Sequence, residues 1–197
     1  MRRGQDGEDT SARERILTAA ENLFSESGFE ATPTSRIAEL AGVPKGLVHY
    51  YFRRKADLLV ALVDRLPDQD IRPEHVVLAG DVATSLRRLL AELDRWQESS
   101  PLLRSLLWRE ADTHHVVREA LQRRFRRLVE LIREVISAAY DPAVRSDVDS
   151  AAELLALAVS YQHSIARHAS DVEQGRVRME RELSFIADAL TLGAGAD

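Results

Sequence analysis

Five residues in the run AGVPKGLVHYYF, Lys45, Gly46, Leu47, His49 and Tyr50, have the types and spacing of a surface that reads nucleic acid. A lysine ammonium can donate to guanine O6 and N7, a phenol can donate to a phosphate oxygen, and a glycine lets the backbone approach a duplex closely. His49 can also read a base edge, through a contact that responds to pH. Upstream, Thr32, Thr34 and Ser35 can bring hydroxyls and the free amides of a helix start to phosphate.

Two short helices are needed to hold these groups. Ile37, Ala38 and Ala41 recur at helical spacing, Gly42 suits the left-handed conformation that ends a helix, and Pro44 suits the first turn of the next. Val48 and Phe52, four residues apart, anchor that second helix inward and leave Lys45, Gly46, Leu47, His49 and Tyr50 facing a partner. The layout is a helix-turn-helix whose second helix enters the DNA major groove. Of the two adjacent tyrosines one is expected to pack in part against the bundle, and Tyr50 is the one expected to reach DNA.

Charge follows the same division. The 197-residue chain has a net charge of -5, so nucleic-acid binding requires a local basic patch. Residues 32 to 55 supply one: Arg36, Lys45, Arg53, Arg54 and Lys55 against Glu39 give +4. Residues 67 to 197 carry 17 basic and 22 acidic side chains, or -5, and would be repelled by phosphate. Cysteine is absent, which excludes disulfides, thiol nucleophiles and cysteine-bound zinc. No signal peptide or membrane span is expected, and the predicted location is cytoplasmic.

The remaining chain reads as all-α, about nine helices. A polar tail, 1–9, is expected to be disordered, leaving Arg2 and Arg3 as a mobile arm. A capping box at Ser11 to Glu14 starts the first helix, whose stripe is Ile16, Ala19, Ala20, Leu23 and Phe24, and Gly28 ends it. Thr32 is expected to cap the second helix, with Pro33 at its first position. The helix-turn-helix domain is set at 10–56 and a larger regulatory and dimerisation domain at 57–197. KADLLVALVDRL forms a connector helix, residues 67 to 80 an irregular linker, and five further helices follow. Asp149 or Ser150 is expected to cap the penultimate helix, and Gly175 to break the chain before the last. In that last helix Met179, Leu183, Ile186 and Leu190 form a stripe widened by Phe185 and Ala189.

The ordered segments ILTAAENLFSESGFEAT, IAELAGVPKG and HYYFRRKADLL, running from about Ile16 to Leu59 without gaps, resemble the TetR family of bacterial ligand-responsive transcriptional regulators. The resemblance implies that Lys45, Gly46, Leu47 and His49 approach base edges, and that Tyr50, Tyr51 and Lys55 lie at or beside phosphate contacts. Two residues depart from the family: His49 stands where tyrosine is common, and Pro44 where a serine or threonine often caps the recognition helix. Operator sequence is therefore not legible from the motif.

The resemblance also implies a C-terminal domain that dimerises through its last two long helices and holds a small molecule. Ala152, Leu155, Val159 and Ile165 are candidates for close approach between subunits. Trp96, Leu103, Trp108, Phe125, Tyr161 and Gln162 are the candidate pocket residues, and His163 lies on the same helix as the last two. The expected activity is that of a dimeric repressor on a two-fold operator, released by a small-molecule effector; a ligand-independent DNA-binding protein or an activator is the alternative. An enzyme is disfavoured, since no glycine-rich phosphate loop or nucleophile motif is present, and no cofactor is expected. Glu110, Asp112, His114, His115 and Glu119 include a four-residue helical spacing between His115 and Glu119 that could suit a metal, but they straddle a helix junction where polar residues are ordinary, and no metal site is assigned.

Overall fold

The computed structural model describes residues 3–66, 71–97, 101–139, 147–165 and 172–192, and every described element is helical. There are ten helices among them: α1 (Arg3–Ser27), α2 (Thr34–Ala41), α3 (Lys45–Tyr51), α4 (Lys55–Asp64), α5 (Pro73–Val76), α6 (Val82–Gln97), α7 (Pro101–Thr113), α8 (His115–Ala139), α9 (Val148–Ile165) and α10 (Val172–Leu192). The count exceeds the expected nine because Pro73 opens one turn, α5, inside the stretch read as irregular. No described helix is long and apolar enough to cross a membrane.

The chain divides into two compact units, residues 1–66 with 100–122 and residues 67–99 with 123–197. The first unit therefore takes in α7 and the start of α8, which the boundary at 56/57 had placed elsewhere. The cause is the apolar face of α7: Leu106, Leu107 and Ala111 are buried in one core with Ile16, Phe24, Ile37, Val48 and Phe52. Helix α1 packs on α2, α3, α4 and α7. Leu58, Leu59, Leu62 and Val63 of α4 are buried in the same core, so the connector helix is an integral part of it. Each such side chain contributes about 1.5–3 kcal/mol of transfer free energy.

Helix α1 spans Arg3–Ser27, where the sequence reading started it at Ser11 behind an unstructured tail. The side chains of residues 1–10, Arg2 and Arg3 among them, lie outside the described residues. Gly28 ends α1 at a positive φ of 82°, and its amide donates to Phe24 O at 3.0 Å. The N-cap of α2 is Pro33, with φ -75° and ψ 149° and no side-chain cap, which corrects the expectation of a Thr32 cap.

In the second unit α10 packs on α9 and α6 around a core of Leu86, Leu89, Ile132, Val135, Leu155 and Leu183, among others. Asp81 accepts from the Thr84 amide at 2.8 Å and from its hydroxyl at 2.7 Å just before α6. These two donors hold its carboxyl below the usual aspartate range. Asp147 does the same for α9, accepting from the Ser150 amide at 2.9 Å, so neither Asp149 nor Ser150 is the cap. Gly175 lies within α10 and does not break it. A glycine inside a helix costs only about 1 kcal/mol against alanine, which the packed stripe Met179, Leu183, Ile186 and Leu190 outweighs.

Candidate nucleic-acid interface

The turn between α2 and α3 follows from three local choices. Gly42 takes φ 63° and ψ 41° at the C-cap of α2, where its amide donates to Glu39 O and the Val43 amide to Ala38 O. Pro44 is the N-cap of α3, and Val48 and Phe52 are buried on the helix's inner side. Arg15 of α1 donates from Nε to Ala41 O at 3.2 Å, which satisfies a carbonyl at the end of α2 and holds the turn against α1.

That anchoring leaves Lys45, Gly46, His49 and Tyr50 exposed, with Leu47 half-buried beside them. Tyr50 is 71% exposed. Tyr51 is half-buried and packs against the core, its ring 6.4 Å from that of Phe52. The Tyr50 and Tyr51 rings meet edge to face at 5.2 Å, so Tyr51 braces the outward-facing Tyr50. Thr34 is half-buried and Ser35 exposed at the start of α2, both on the surface that carries Arg36.

Thr32 does not share that surface. It is fully buried, and its hydroxyl donates to Gly28 O at 2.8 Å, with a longer 3.3 Å approach to Leu23 O. The hydroxyl is spent on Gly28 O, just past the end of α1, and is not available to phosphate. Lys55 is half-buried: Nζ donates to Glu30 O at 3.3 Å and lies 4.2 Å from the centroid of the Phe29 ring. Burial there lowers its pKa from the ordinary lysine value, against the opposing pull of the Glu30 and Glu110 carboxylates. A phosphate contact would have to draw this ammonium off Phe29. Arg53 and Arg54 are exposed, and Arg54 pairs with Asp57 at 3.2 Å.

Four of the six candidate pocket residues have described side chains, one in the first unit and three in the second. The side chains of Trp96 and Leu103, and of His163, lie outside the described residues. Trp108 belongs to the first unit and is 46% exposed, because Leu106, Leu107, Glu110 and Ala111 form the inward face of α7. In the second unit Phe125 is half-buried against the core and Gln162 is half-buried, whereas Tyr161 is 57% exposed. Helix α9 turns Ala152, Leu155 and Val159 into the chain's own core, so these are not free to approach another subunit. The opposite stripe, Leu154, Leu157 and Tyr161, is exposed at spacings of three and four. On α10 Phe185 is 74% exposed and Val177 62%, so Phe185 lies outside the buried stripe that it had been expected to widen. Of the polar residues at the α7–α8 junction, Asp112, His115 and Glu119 are exposed, while Glu110 is buried and His114 half-buried.

Comparison with known proteins agrees with this architecture. Residues 16–62 match the family model of bacterial regulatory proteins, tetR family. The HTH-type transcriptional regulator TtgR of Pseudomonas putida is 41% identical over 74 residues, 38% of this chain and 34% of that protein. The HTH-type transcriptional repressor KstR of Mycolicibacterium smegmatis is 32% identical over 99 residues, 49% of this chain and 48% of that protein. The matched stretch thus spans between about a third and a half of these curated relatives, which are transcriptional regulators and not enzymes. Over longer stretches the likeness is one of fold. A transcriptional regulator from Streptomyces coelicolor superposes with a TM-score of 0.67 at 25% identity, covering 89% of this chain and 98% of that one. A TetR-family regulator from Mesorhizobium loti gives 0.72 at 18% identity, covering 93% and 96%. Residues 16–62, with Gly42, Val48 and Phe52 shaping the turn and recognition helix, thus carry the DNA-binding domain of bacterial regulatory proteins, tetR family.

Proposed function

We propose that the protein is a cytoplasmic repressor of transcription that binds a two-fold operator in duplex DNA as a dimer and is released by a small-molecule effector. The observation that carries the DNA-binding part is the outer face of α3: Lys45, Gly46, His49 and Tyr50 are exposed on a helix whose Val48 is fully buried. A helix anchored on one side, with donors on the other, has the requirements of a major-groove reader. Thr34, Ser35, Arg36, Arg53 and Arg54 add exposed or half-exposed donors for phosphate on the same local +4 segment.

The dimer is supported by the apolar residues that α9 and α10 leave outward. Leu154, Leu157 and Tyr161 on α9, with Val177 and Phe185 on α10, are each more than half exposed. An isologous pairing of these faces would bury them and carry two recognition helices to two half-sites. The repressor sign is supported by the likeness to the transcriptional repressor KstR of Mycolicibacterium smegmatis. For the effector, Phe125 and Gln162 are the half-buried members of the candidate set among the described side chains of the second unit.

Selection from random duplex DNA, followed by a compound screen on the selected site, tests the whole reading. Enrichment of an inverted repeat, and compounds that release it, are expected. Failure to enrich any sequence would overturn DNA reading by α3, and a monomer by light scattering at micromolar concentration would overturn the dimer. Tight binding of a compound with unchanged operator affinity would overturn the effector role, since only differential affinity for two states can shift them.

A further inference from the structure

Glu110 sits in the first unit with a side chain only 10% exposed, yet the nitrogens beside it, Arg109 Nε at 3.5 Å and His114 Nε2 at 3.7 Å, stand beyond good hydrogen-bond length. His114 Nε2 is itself buried and has no hydrogen-bond partner. Both groups are fixed by the backbone: the His114 amide donates to Glu110 O at 2.8 Å as the last turn of α7 closes, and the His114 ring meets the Phe29 ring edge to face at 5.0 Å. Phe29 carries the chain directly to Glu30. The Glu30 and Glu110 carboxylates and the His114 imidazole each place one donor atom within 4.8 Å of the other two.

We infer that Glu30, Glu110 and His114 form a binding site for a divalent transition-metal cation of the zinc class. One imidazole nitrogen and two carboxylate oxygens are a ligand set for such borderline cations, with open positions left for water. With metal–ligand distances of about 2.0–2.2 Å, donors in a tetrahedral site lie roughly 3.4 Å apart. The Glu110–His114 pair, at 3.7 Å, already approaches that span. Glu30 is exposed and can close by a rotamer change, completing the set. Two carboxylates neutralise a divalent charge, which gives buried Glu110 the counter-charge it otherwise draws at longer range. The group that competes is the Lys55 ammonium, held on the Glu30 carbonyl and over Phe29. The site would tie the α1–α2 loop to the α7–α8 junction. It differs from the His115–Glu119 spacing that the sequence suggests, because both of those side chains face solvent.

The test is calorimetric titration of the metal-stripped full-length protein with ZnCl2, repeated with CoCl2 and followed by visible absorption. One equivalent per chain is expected, with affinity lowered in Glu30→Gln and in His114→Gln by more than the roughly 10- to 100-fold that loss of an outer-sphere partner costs, unchanged in His115→Ala and raised in Lys55→Met. Circular dichroism checks that each variant folds; should His114→Gln fail to fold, exposed Glu30 decides the matter. Absence of zinc binding, equal affinity in Glu30→Gln, loss of binding in His115→Ala, or no tightening in Lys55→Met would each overturn the assignment. The result is independent of operator binding, since the readout uses no DNA.

Discussion

Replacing Thr32 by valine separates a structural hydroxyl from a DNA-contacting one. Thr32 is 0% exposed and its hydroxyl donates to Gly28 O at 2.8 Å. Gly28 lies just past the end of α1, so its carbonyl has no intrahelical donor to fall back on. Valine fills nearly the same volume but leaves that buried acceptor unpaired, at a cost of about 1–3 kcal/mol. For a chain of this length each kcal/mol lowers Tm by roughly 2–4 °C, so a fall of about 2–12 °C is expected. Thr32→Ser keeps the donor and loses one methyl, about 0.5–1.5 kcal/mol, and should fall less. Thermal unfolding followed by circular dichroism reads the stability, and fluorescence anisotropy on the selected duplex, measured well below Tm, reads DNA affinity. Thr32→Val should retain nearly full affinity per folded molecule. An unchanged Tm with weakened DNA binding would refute the burial argument and return Thr32 to the phosphate-contacting set.

Lys45→Ala should leave Tm unchanged and reduce discrimination at one base position by about 1–3 kcal/mol, read by competition between point-mutated duplexes; Lys55→Ala should lower both Tm and DNA affinity, because its ammonium also packs on Phe29. Gly42→Ala meets no heavy atom within 4 Å of its new Cβ, so its cost is purely the left-handed φ of 63°, about 1–2 kcal/mol in urea unfolding. Leu157→Glu, on the exposed stripe of α9, should convert a dimer to a monomer in light scattering with little loss of helicity. Asp81, whose carboxyl is held below the ordinary value of 3.8 by Thr84, contributes stability that is present above that value and lost as pH falls through its lower folded value. Tm measured between pH 5 and 3 should therefore drop less steeply in Asp81→Asn than in the parent.

The sequence by itself determined the all-α class, the turn between α2 and α3, and the face that α3 turns outward. Those features rest on interactions within a few residues: the backbone freedom of Gly42, the fixed φ of Pro44, and the four-residue spacing of Val48 and Phe52. Only the tertiary structure decided which polar groups remain available. Thr32 spends its hydroxyl on carbonyls four and nine residues back, and Lys55 spends its ammonium on a carbonyl 25 residues back. On α9 the sequence offered Leu155 and Val159 for approach between subunits, whereas packing against α10 assigned both to the chain's own core and left Leu154 and Leu157 outside. Glu30 meets Glu110 and His114 for the same reason that α7 joins the first unit: its buried leucines seat it on α1. Local spacing encodes a helix and its cap, whereas the partner of a polar side chain is set by whichever distant segment the apolar core draws alongside it.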